Sequence, residues 1–481
     1  MGDLLAALAA FDRFLDENVV FVVLSCFAAA YLHHVLQHTR SRHPPVHGVF
    51  LPFFGALPQV IWHKGPAAFV RHLWTQNENK KARTVHLAGS RITWLFHPAD
   101  CRPFLLASKR PGQGSVDFFA ATAPFVKCFG GTREAHSNAH LKAQEKTRTE
   151  LQPAKLMNFE SQLCEKVHVY LHENLQNETA DLMDTVSTVV FDCVTPLLLP
   201  EAVLKEFELR KQELRQDLNT FDRHFEKAAG VVGLGFDSIN DFVLRQTLPE
   251  WHTARERLLQ FMQCVVSACD DNEDSLFGHV CRISGQDTGL LLALLWALHA
   301  NQVPTVFWAL KHLSDEPSVM STLRKDPEQL SLSNVIEETL RLHAPFIIVR
   351  KALKEVELPF SRTVVPEGNL MAISPTLCNR SSDVYDRPDK FDPFRFNKME
   401  THPAPSVKFA SFGVGAFQCP GRHLGYRVVH ILLKELLANF DFAASTREVP
   451  IDATRMVGTA HPVDGFKLSG TFVRRVRIKE D

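Results

Sequence analysis

The sequence predicts a mainly α fold with a large helical body, a small β domain and an N-terminal membrane anchor. Apolar residues recur at a spacing of three and four over much of the region from about 98 to 313. Arg83–Phe96 instead alternates apolar and polar residues around a Gly-Ser turn, which indicates a β-hairpin. Asn18–Leu36 is an almost uncharged apolar run of about the length that crosses a bilayer.

The flanks of the N-terminal run indicate its orientation. Asp16 and Glu17 precede it, and Arg40 and Arg42 follow it, so the positive-inside rule places the rest of the chain on the cytosolic side. A cleaved signal peptide is the alternative, but the preceding segment is acidic and no A-x-A-like site ends the run. We therefore expect an anchor in residues 1–40.

The anchor leads into a connector and one catalytic domain. Residues 41–58 are dense in Pro and Gly and predict a stiff, extended hinge, and we place 59–481 in the catalytic domain. Within it, Asp287–Leu313 is apolar on nearly every face and would span about 40 Å as a helix. Because His299 and Pro304 interrupt its middle, we expect a buried central helix rather than a second membrane span.

Composition excludes some classes of function. The formal net charge is −1, whereas a chain that mainly binds nucleic acid needs clustered Lys and Arg, so we expect no nucleic-acid partner. The ten cysteines show no framework of paired spacings, which fits a reducing compartment. The catalytic domain should therefore face the cytosol.

A glycine-bearing loop, Phe409–Arg427, places one cysteine directly before an apolar helix. Gly413 and Gly415 permit tight turns and a close approach of the backbone to a flat ligand. Pro420 biases Cys419 away from the helical conformation, so the cysteine should lie at the lip of the helix. Free N–H groups and the helix dipole at such a position favour a thiolate.

Cys419 is therefore the candidate metal ligand. Two alternatives remain at this point: a buried structural thiol, and a zinc site shared with His423. A second Cys/His pair at the spacing of a tetrahedral site is not evident.

The loop resembles the haem-binding signature of the cytochrome P450 superfamily, F-x-x-G-x-x-x-C-x-G. Phe412, Gly415, Cys419 and Gly421 occupy its fixed positions. The resemblance implies the cytochrome P450 fold, a haem b cofactor and Cys419 as the axial thiolate ligand of the iron.

One position departs from the usual pattern. Members of the superfamily commonly carry a basic residue two before the cysteine, where it reaches a haem propionate, but Phe417 stands there. Arg350 matches another position whose guanidinium reaches a propionate, so the resemblance implies Arg350 as the main propionate partner. A surface arginine is the alternative.

Three further charges are implied to be structural. Glu338 and Arg341 share one helix face at i,i+3 spacing, and Arg395 follows downstream. In the superfamily, charges in this order form a buried triad that stabilises the fold behind the haem.

The acid and the alcohol that usually lie beside the iron are absent. Residues 300–304 stand at that motif, where neither Val303 nor Pro304 has a side chain that donates or accepts a hydrogen bond. Proline also frees a nearby carbonyl in the helix. We therefore predict Asn301 as the catalytic residue that orients a proton-supplying water, with Thr305 as the second candidate.

Three phrases narrow the resemblance to the branch that contains oxysterol 7α-hydroxylases, sterol 12α-hydroxylase and prostacyclin synthase. They are Ala300-Asn301-x-x-Pro304, GNLMAISPTLCNR and FGVGAFQCPGR, and oxysterol 7α-hydroxylases that act on 24-hydroxycholesterol are the most similar group. The resemblance implies a monooxygenase of the endoplasmic reticulum membrane that hydroxylates a sterol or oxysterol at C7, using O2 and NADPH-cytochrome P450 reductase. A reductase-independent isomerase of a lipid endoperoxide is the alternative, and a non-catalytic haem or sterol carrier is a third. The residues expected to contact the apolar substrate are Phe118, Phe119, Gln302, Val303, Pro304, Phe346, Ile347, Val457 and His461.

Overall fold

A computed structural model provides the coordinates of most of the chain. The described residues are 42–46, 55–87, 90–106, 114–130, 147–175, 179–233, 237–270, 275–284, 287–326, 328–401, 411–413 and 417–475. The predicted anchor in residues 1–40 and half of the predicted hinge, 41–58, lie outside them. The last two residues of the hinge already belong to a helix.

Helices form most of the described chain, which confirms the mainly α fold. Their bounds are α1 Leu57–Trp62, α2 Pro66–Gln76, α3 Pro98–Leu106, α4 Phe118–Thr122, α5 Met157–Asn174, α6 Leu182–Val194, α7 Leu204–Gly233, α8 Asp237–Thr247, α9 Pro249–Ala268, α10 Leu276–Ser284, α11 Thr288–Asp315, α12 Pro317–Lys325, α13 Leu332–His343, α14 Pro375–Asn379 and α15 Arg422–Asn439. Short 3-10 segments lie at Ala123–Phe129, Thr195–Leu197, Glu201–Val203 and Pro393–Thr401.

The strands form three small sheets. Their bounds are β1 Arg83–Leu87, β2 Ser90–Trp94, β3 Val116–Asp117, β4 Thr179–Asp181, β5 Ile348–Ala352, β6 Val356–Leu358, β7 Thr363–Val365, β8 Leu370–Ile373, β9 Phe440–Ala444 and β10 Ser469–Arg474. The sheets have the orders β1-β2-β8-β5-β3, β4-β10-β9 and β6-β7.

The predicted hairpin is confirmed, because β1 and β2 pair antiparallel from Arg83↔Trp94 to Leu87↔Ser90. The sheet extends beyond the N-terminal region, because strands from later in the chain complete it. β2 pairs in parallel with β8, with Ile92 opposite Leu370, so more than half the chain separates two neighbouring strands. The hairpin alone cannot bury its apolar side, and the later strands provide the rest of the sheet.

The long helix α11 lies in the middle of the helical body, where it contacts α6, α9, α13 and α15. The Asp287 side chain caps it by accepting from the backbone N–H of Leu290 at 3.1 Å. Among the described helices, α11 alone is long and apolar enough to span a membrane, and 67% of its most apolar stretch is buried. The prediction of a buried central helix is therefore confirmed.

Helix α15 packs against α11 with the apolar face that the sequence predicted. Leu424, Val428, Leu432 and Leu436 are all buried. Burying a side chain of this size contributes roughly 1.5–3 kcal/mol, so this face fixes the helix that follows the cysteine loop against the core.

Candidate active site

The backbone of the cysteine loop holds Cys419 just before α15. Gly413 has φ +68°, in the left-handed region that favours glycine. The N–H of Cys419 donates to the carbonyl of Phe412 at 2.8 Å, and Gly421 is the residue that precedes the first turn of α15. Gly415, also predicted to bind the cofactor, lies outside the described residues.

The thiol of Cys419 faces a recess. By accessible surface the residue is exposed, yet burial among protein atoms raises the pKa of its thiol. The Gly421 N–H, Arg148 and Arg422 act in the opposite direction. The helix start was expected to lower this pKa, but loss of hydration outweighs it, because a thiolate loses more solvation than a thiol.

His423 has a partner of its own beside the loop. The Nε of Arg422 donates to Nε2 of His423 at 3.1 Å, and Nη1 of Arg422 donates to Oε1 of Gln418 at 2.8 Å. The ring nitrogen that a zinc site would need is therefore engaged with a cation, which disfavours the zinc alternative.

Arg350, on β5, is buried inside an aromatic cage. Its guanidinium carbon lies 4.8 Å from the ring centre of Phe417, 5.1 Å from Phe118 and 5.5 Å from Phe104. Its Nη1 donates to the carbonyl of Val349 at 2.7 Å, and no carboxylate among the described residues lies within ion-pair distance of it.

Burial lowers the pKa of Arg350 to about 10, so the guanidinium stays charged at neutral pH. The charge of Asp117 acts in the opposite direction, but no described carboxylate lies at ion-pair distance from Arg350, so this buried cation fits an acidic group of a ligand. Together with the recessed thiol of Cys419, it makes this part of the chain fit a cofactor that carries both a metal and carboxylates, as haem b does.

Phe118 and Phe119 both pack against the ring of Phe417. Their ring centres are 6.1 Å and 6.0 Å from that of Phe417, so the structure places both against the cysteine loop. Phe118 also lies against the guanidinium of Arg350, and contact of Phe118 and Phe119 with the substrate stays a prediction.

The two predicted catalytic residues join α11 to a turn near the C-terminus, residues 452–463, which we call the C-terminal turn. Asn301 donates from Nδ2 to the carbonyl of Ala297 at 2.8 Å and accepts from the N–H of Thr459 at 3.1 Å. The hydroxyl of Thr305 donates to the carbonyl of Asn301 at 2.6 Å. Both side chains are thus partly engaged with the protein itself.

Four of the remaining predicted substrate residues border two different cavities of the described chain. Val303 and His461 border a cavity of about 460 Å³, and Phe346 and Val457 border a second one of about 560 Å³. Gln302 is buried near α15, and its Oε1 has no partner among the described residues. The other two are Pro304, which is buried inside α11, and Ile347, whose N–H donates to the carbonyl of Met456 at 3.1 Å.

The structure brings the three predicted structural charges together. Arg341 donates to both oxygens of Glu338, at 2.7 Å and 2.8 Å, and Nε of Arg395 donates to Glu338 at 3.0 Å. The backbone N–H of Asp392 donates to the same carboxylate at 2.8 Å. The side chains of Glu338 and Arg341 are completely buried, so the carboxylate exchanges all of its water for fixed donors.

The sequence reasoning missed two carboxylates on α7. Asp222 accepts from Nη2 of Arg455 at 2.9 Å, and Glu226 accepts from the N–H groups of Met456 at 2.7 Å and Val457 at 2.8 Å. These bonds hold the C-terminal turn against α7. The partners are at least 230 positions apart, so no local pattern could have shown them.

The chain is similar to known proteins over most of its length. The 24-hydroxycholesterol 7-alpha-hydroxylase of Homo sapiens is 26% identical over 474 residues, 89% of this chain and 92% of its own. The mouse protein of the same name is 23% identical over 460 residues, 87% of this chain and 91% of its own. The 25-hydroxycholesterol 7-alpha-hydroxylase of Rattus norvegicus is 26% identical over 321 residues, 59% of this chain and 77% of its own.

A family model described as Cytochrome P450 matches residues 44–468, well over half of the chain. Members of that family are oxidoreductases that use O2, a redox partner and a lipophilic substrate, and they bind haem b through a cysteine thiolate. The chain therefore belongs to the cytochrome P450 family of haem-thiolate monooxygenases.

Proposed function

We propose that this protein hydroxylates an oxysterol at C7, on the α face, with O2 and with electrons from NADPH-cytochrome P450 reductase. The observation that carries the proposal is the similarity, over 89% of the chain, to a protein named 24-hydroxycholesterol 7-alpha-hydroxylase. A rat relative named for 25-hydroxycholesterol supports the wider substrate class, a cholesterol with a hydroxylated side chain.

Within this proposal, Cys419 binds the haem iron and Arg350 binds a propionate. The haem supplies the activation of O2 for insertion into a C–H bond. The chain supplies the surroundings: Phe417 and Phe118 keep water away from Arg350, and the N–H of Gly421 is directed at the sulfur. The thiol has to lose its proton to bind iron, and the free energy of metal binding offsets the cost that the raised pKa of the free thiol adds.

The ligand assignment is tested by Cys419→Ser. The purified variant should lose the red-shifted carbon monoxide difference band of thiolate-ligated ferrous haem. Cys378→Ser, at another partly buried cysteine, is the control and should keep the band. A Cys419→Ser protein that keeps the band would refute the assignment.

The reaction is tested with full-length protein, reductase and NADPH, with 24-hydroxycholesterol and 25-hydroxycholesterol as substrates. We expect a product with one added oxygen at C7, and none when reductase or NADPH is omitted. The absence of an acid and an alcohol at Val303 and Pro304 favours the second candidate, an isomerase. Turnover of a lipid endoperoxide without reductase, and no product from either oxysterol, would establish that candidate.

We also propose that residues 18–36 anchor the protein in the endoplasmic reticulum membrane. Ile61 and Trp62 on α1 support a further contact with lipid, since they are 68% and 84% exposed and lie near the start of the described chain. Deleting residues 1–40 should therefore release the protein from carbonate-washed membranes only in part. Equal release of full-length and truncated protein would contradict the anchor.

A further inference from the structure

The cavity of about 460 Å³ reaches the middle of α11 from the side of α7. Its inner end is bordered by Ala300 and Val303, which lie in the segment that lacks the acid and the alcohol. Asp222 and His461, from α7 and the C-terminal turn, line the same cavity. Ionisable groups and room for water therefore lie next to Ala300 and Val303, whose own side chains carry no exchangeable proton.

Pro304 determines which backbone atom of α11 is available there. In a regular helix the N–H of residue 304 would donate to the carbonyl of residue 300, but proline has no N–H. Nε2 of His461 lies 3.3 Å from the carbonyl oxygen of Ala300 and takes the place of the missing donor. Because a carbonyl oxygen only accepts, the proton of the neutral ring must be on Nε2.

A carboxylate lies behind this imidazole. Oδ2 of Asp222 is 3.8 Å from Nε2 of His461, and Oδ1 accepts from Nε1 of Trp296 at 2.8 Å. Arg455 donates to both oxygens of Asp222 at 2.9 Å, so the carboxylate is fixed in place. No described residue bonds Nδ1 of His461, which leaves that nitrogen for water in the cavity.

Burial and the nearby charges determine the protonation state of His461 at neutral pH. Burial and Arg455 lower the pKa of His461 to about 4, and Asp222 and Asp452 act in the opposite direction. Burial also acts to raise the pKa of Asp222, but Arg455 and His461 hold it below its ordinary value. At neutral pH a neutral imidazole therefore lies beside a charged carboxylate, an arrangement in which a passing proton is stabilised.

We propose that His461, positioned by Asp222, passes protons from the water of this cavity to the break in α11. The inference rests on the proposed hydroxylation, in which RH, O2, two electrons and two protons become ROH and water. For each proton passed, the ring accepts one on Nδ1 and releases the one on Nε2, so its charge is unchanged and its remaining proton is on Nδ1. Loss of that proton to cavity water and uptake of another on Nε2 restore the starting tautomer before the next transfer. His461 thus takes over the task that Val303 and Pro304 cannot perform, and Asp222 is a positioning residue.

The test compares His461→Gln and Asp222→Asn with Asp184→Asn. Asp184 lines the outer part of the same cavity with a side chain that is 71% exposed, so its variant is the matched control. Full-length haem-loaded protein is assayed with reductase, NADPH and 24-hydroxycholesterol for product, NADPH consumed, peroxide released and the solvent isotope effect. Binding of 24-hydroxycholesterol is measured separately by spectral titration.

We expect His461→Gln to bind 24-hydroxycholesterol normally but to lower the product formed per NADPH by roughly tenfold. This is less than the full contribution of a positioned proton donor, because cavity water substitutes in part. Peroxide release and the solvent isotope effect should rise. Asp222→Asn should behave similarly, Asp222→Glu should recover most of the coupling, and Asp184→Asn should match the wild type.

The outcomes separate this inference from the proposed function. Unchanged coupling and an unchanged isotope effect in His461→Gln would overturn the relay while leaving the hydroxylase intact. No reductase-dependent product from the wild type would overturn both. If His461→Gln does not load haem, histidine-selective NMR of the wild-type ferrous carbon monoxide complex decides. The ring N–H of His461 should exchange with water faster than that of His343, which is buried 2.9 Å from His312, and equally slow exchange would overturn the relay.

Discussion

Two clusters of arginine and carboxylate, on different helices that contact α11, differ in their access to water. In the triad of Glu338, Arg341 and Arg395, the carboxylate and the first arginine are completely buried and saturated with hydrogen bonds. The pair of Asp222 and Arg455 has side chains 15% and 13% exposed, because it borders a cavity. The same pair of arginine and carboxylate is structural where it is fully buried, and it can support proton transfer where it borders water.

A substitution in the triad of Glu338, Arg341 and Arg395 should have the largest effect on the free energy of unfolding. Glu338→Ala leaves two buried guanidinium groups without their carboxylate, which costs on the order of 3–5 kcal/mol. We expect little folded, haem-containing protein, measured as the ratio of haem absorbance to protein after purification. Glu337→Ala, at the neighbouring and more accessible carboxylate, is the control. Normal haem content with a selective loss of turnover in Glu338→Ala would contradict a structural role.

The two clusters also differ in whether the sequence alone could predict them. Glu338 and Arg341 are three positions apart on one helix, and the cysteine loop and α11 are continuous segments, so local patterns predicted them. Asp222 and Arg455 are 233 positions apart, and their contact depends on how α7 packs against the C-terminal turn. A single sequence contains no periodic signal for such a contact.

Phe417 shows a second limit of the sequence. The pattern identified it only as a missing basic residue, whereas the structure places its ring 4.8 Å from the guanidinium carbon of Arg350. Phe118 joins the same cage from α4, although its position had suggested contact with the substrate. Side chains that contact across three separate segments depend on tertiary packing, which periodicity and motif spacing do not contain.

The stability of the protein should depend on pH through Glu226, which holds the C-terminal turn against α7. Burial raises the pKa of Glu226 to about 7 from an ordinary 4.5, although the backbone N–H groups of Val457 and Met456 act to lower it. The folded state therefore holds this proton more tightly than the unfolded state. Its contribution to stability is complete below about pH 4.5 and is lost as the pH rises through 7.

Glu226→Gln should remove that dependence. The amide oxygen still accepts from the C-terminal turn but carries no charge, so the variant should gain stability over the wild type between pH 5 and pH 8. The expected gain is on the order of 2 kcal/mol. Thermal unfolding at several pH values measures it, with Glu208→Gln, at an exposed carboxylate of α7, as the control. Parallel pH profiles for the wild type and Glu226→Gln would rule out the shifted carboxylate.

The smallest effect is expected at the mouth of the same cavity. Nε of Arg223 lies 3.0 Å from Oδ1 of Asp464, but the two side chains are 51% and 61% exposed. Water solvates both ions when they separate, so a double-mutant cycle with Arg223→Met and Asp464→Asn should give a coupling of about 0.2–1 kcal/mol, falling as salt is added. The matching cycle at Arg455 and Asp222 should give a larger coupling that depends less on salt, because those side chains are only 13% and 15% exposed. Equal couplings at the two pairs would mean that the inner end of the cavity and its mouth do not differ in their access to water. The contrast between the fully buried triad and the charge pair at the cavity would then lose its support.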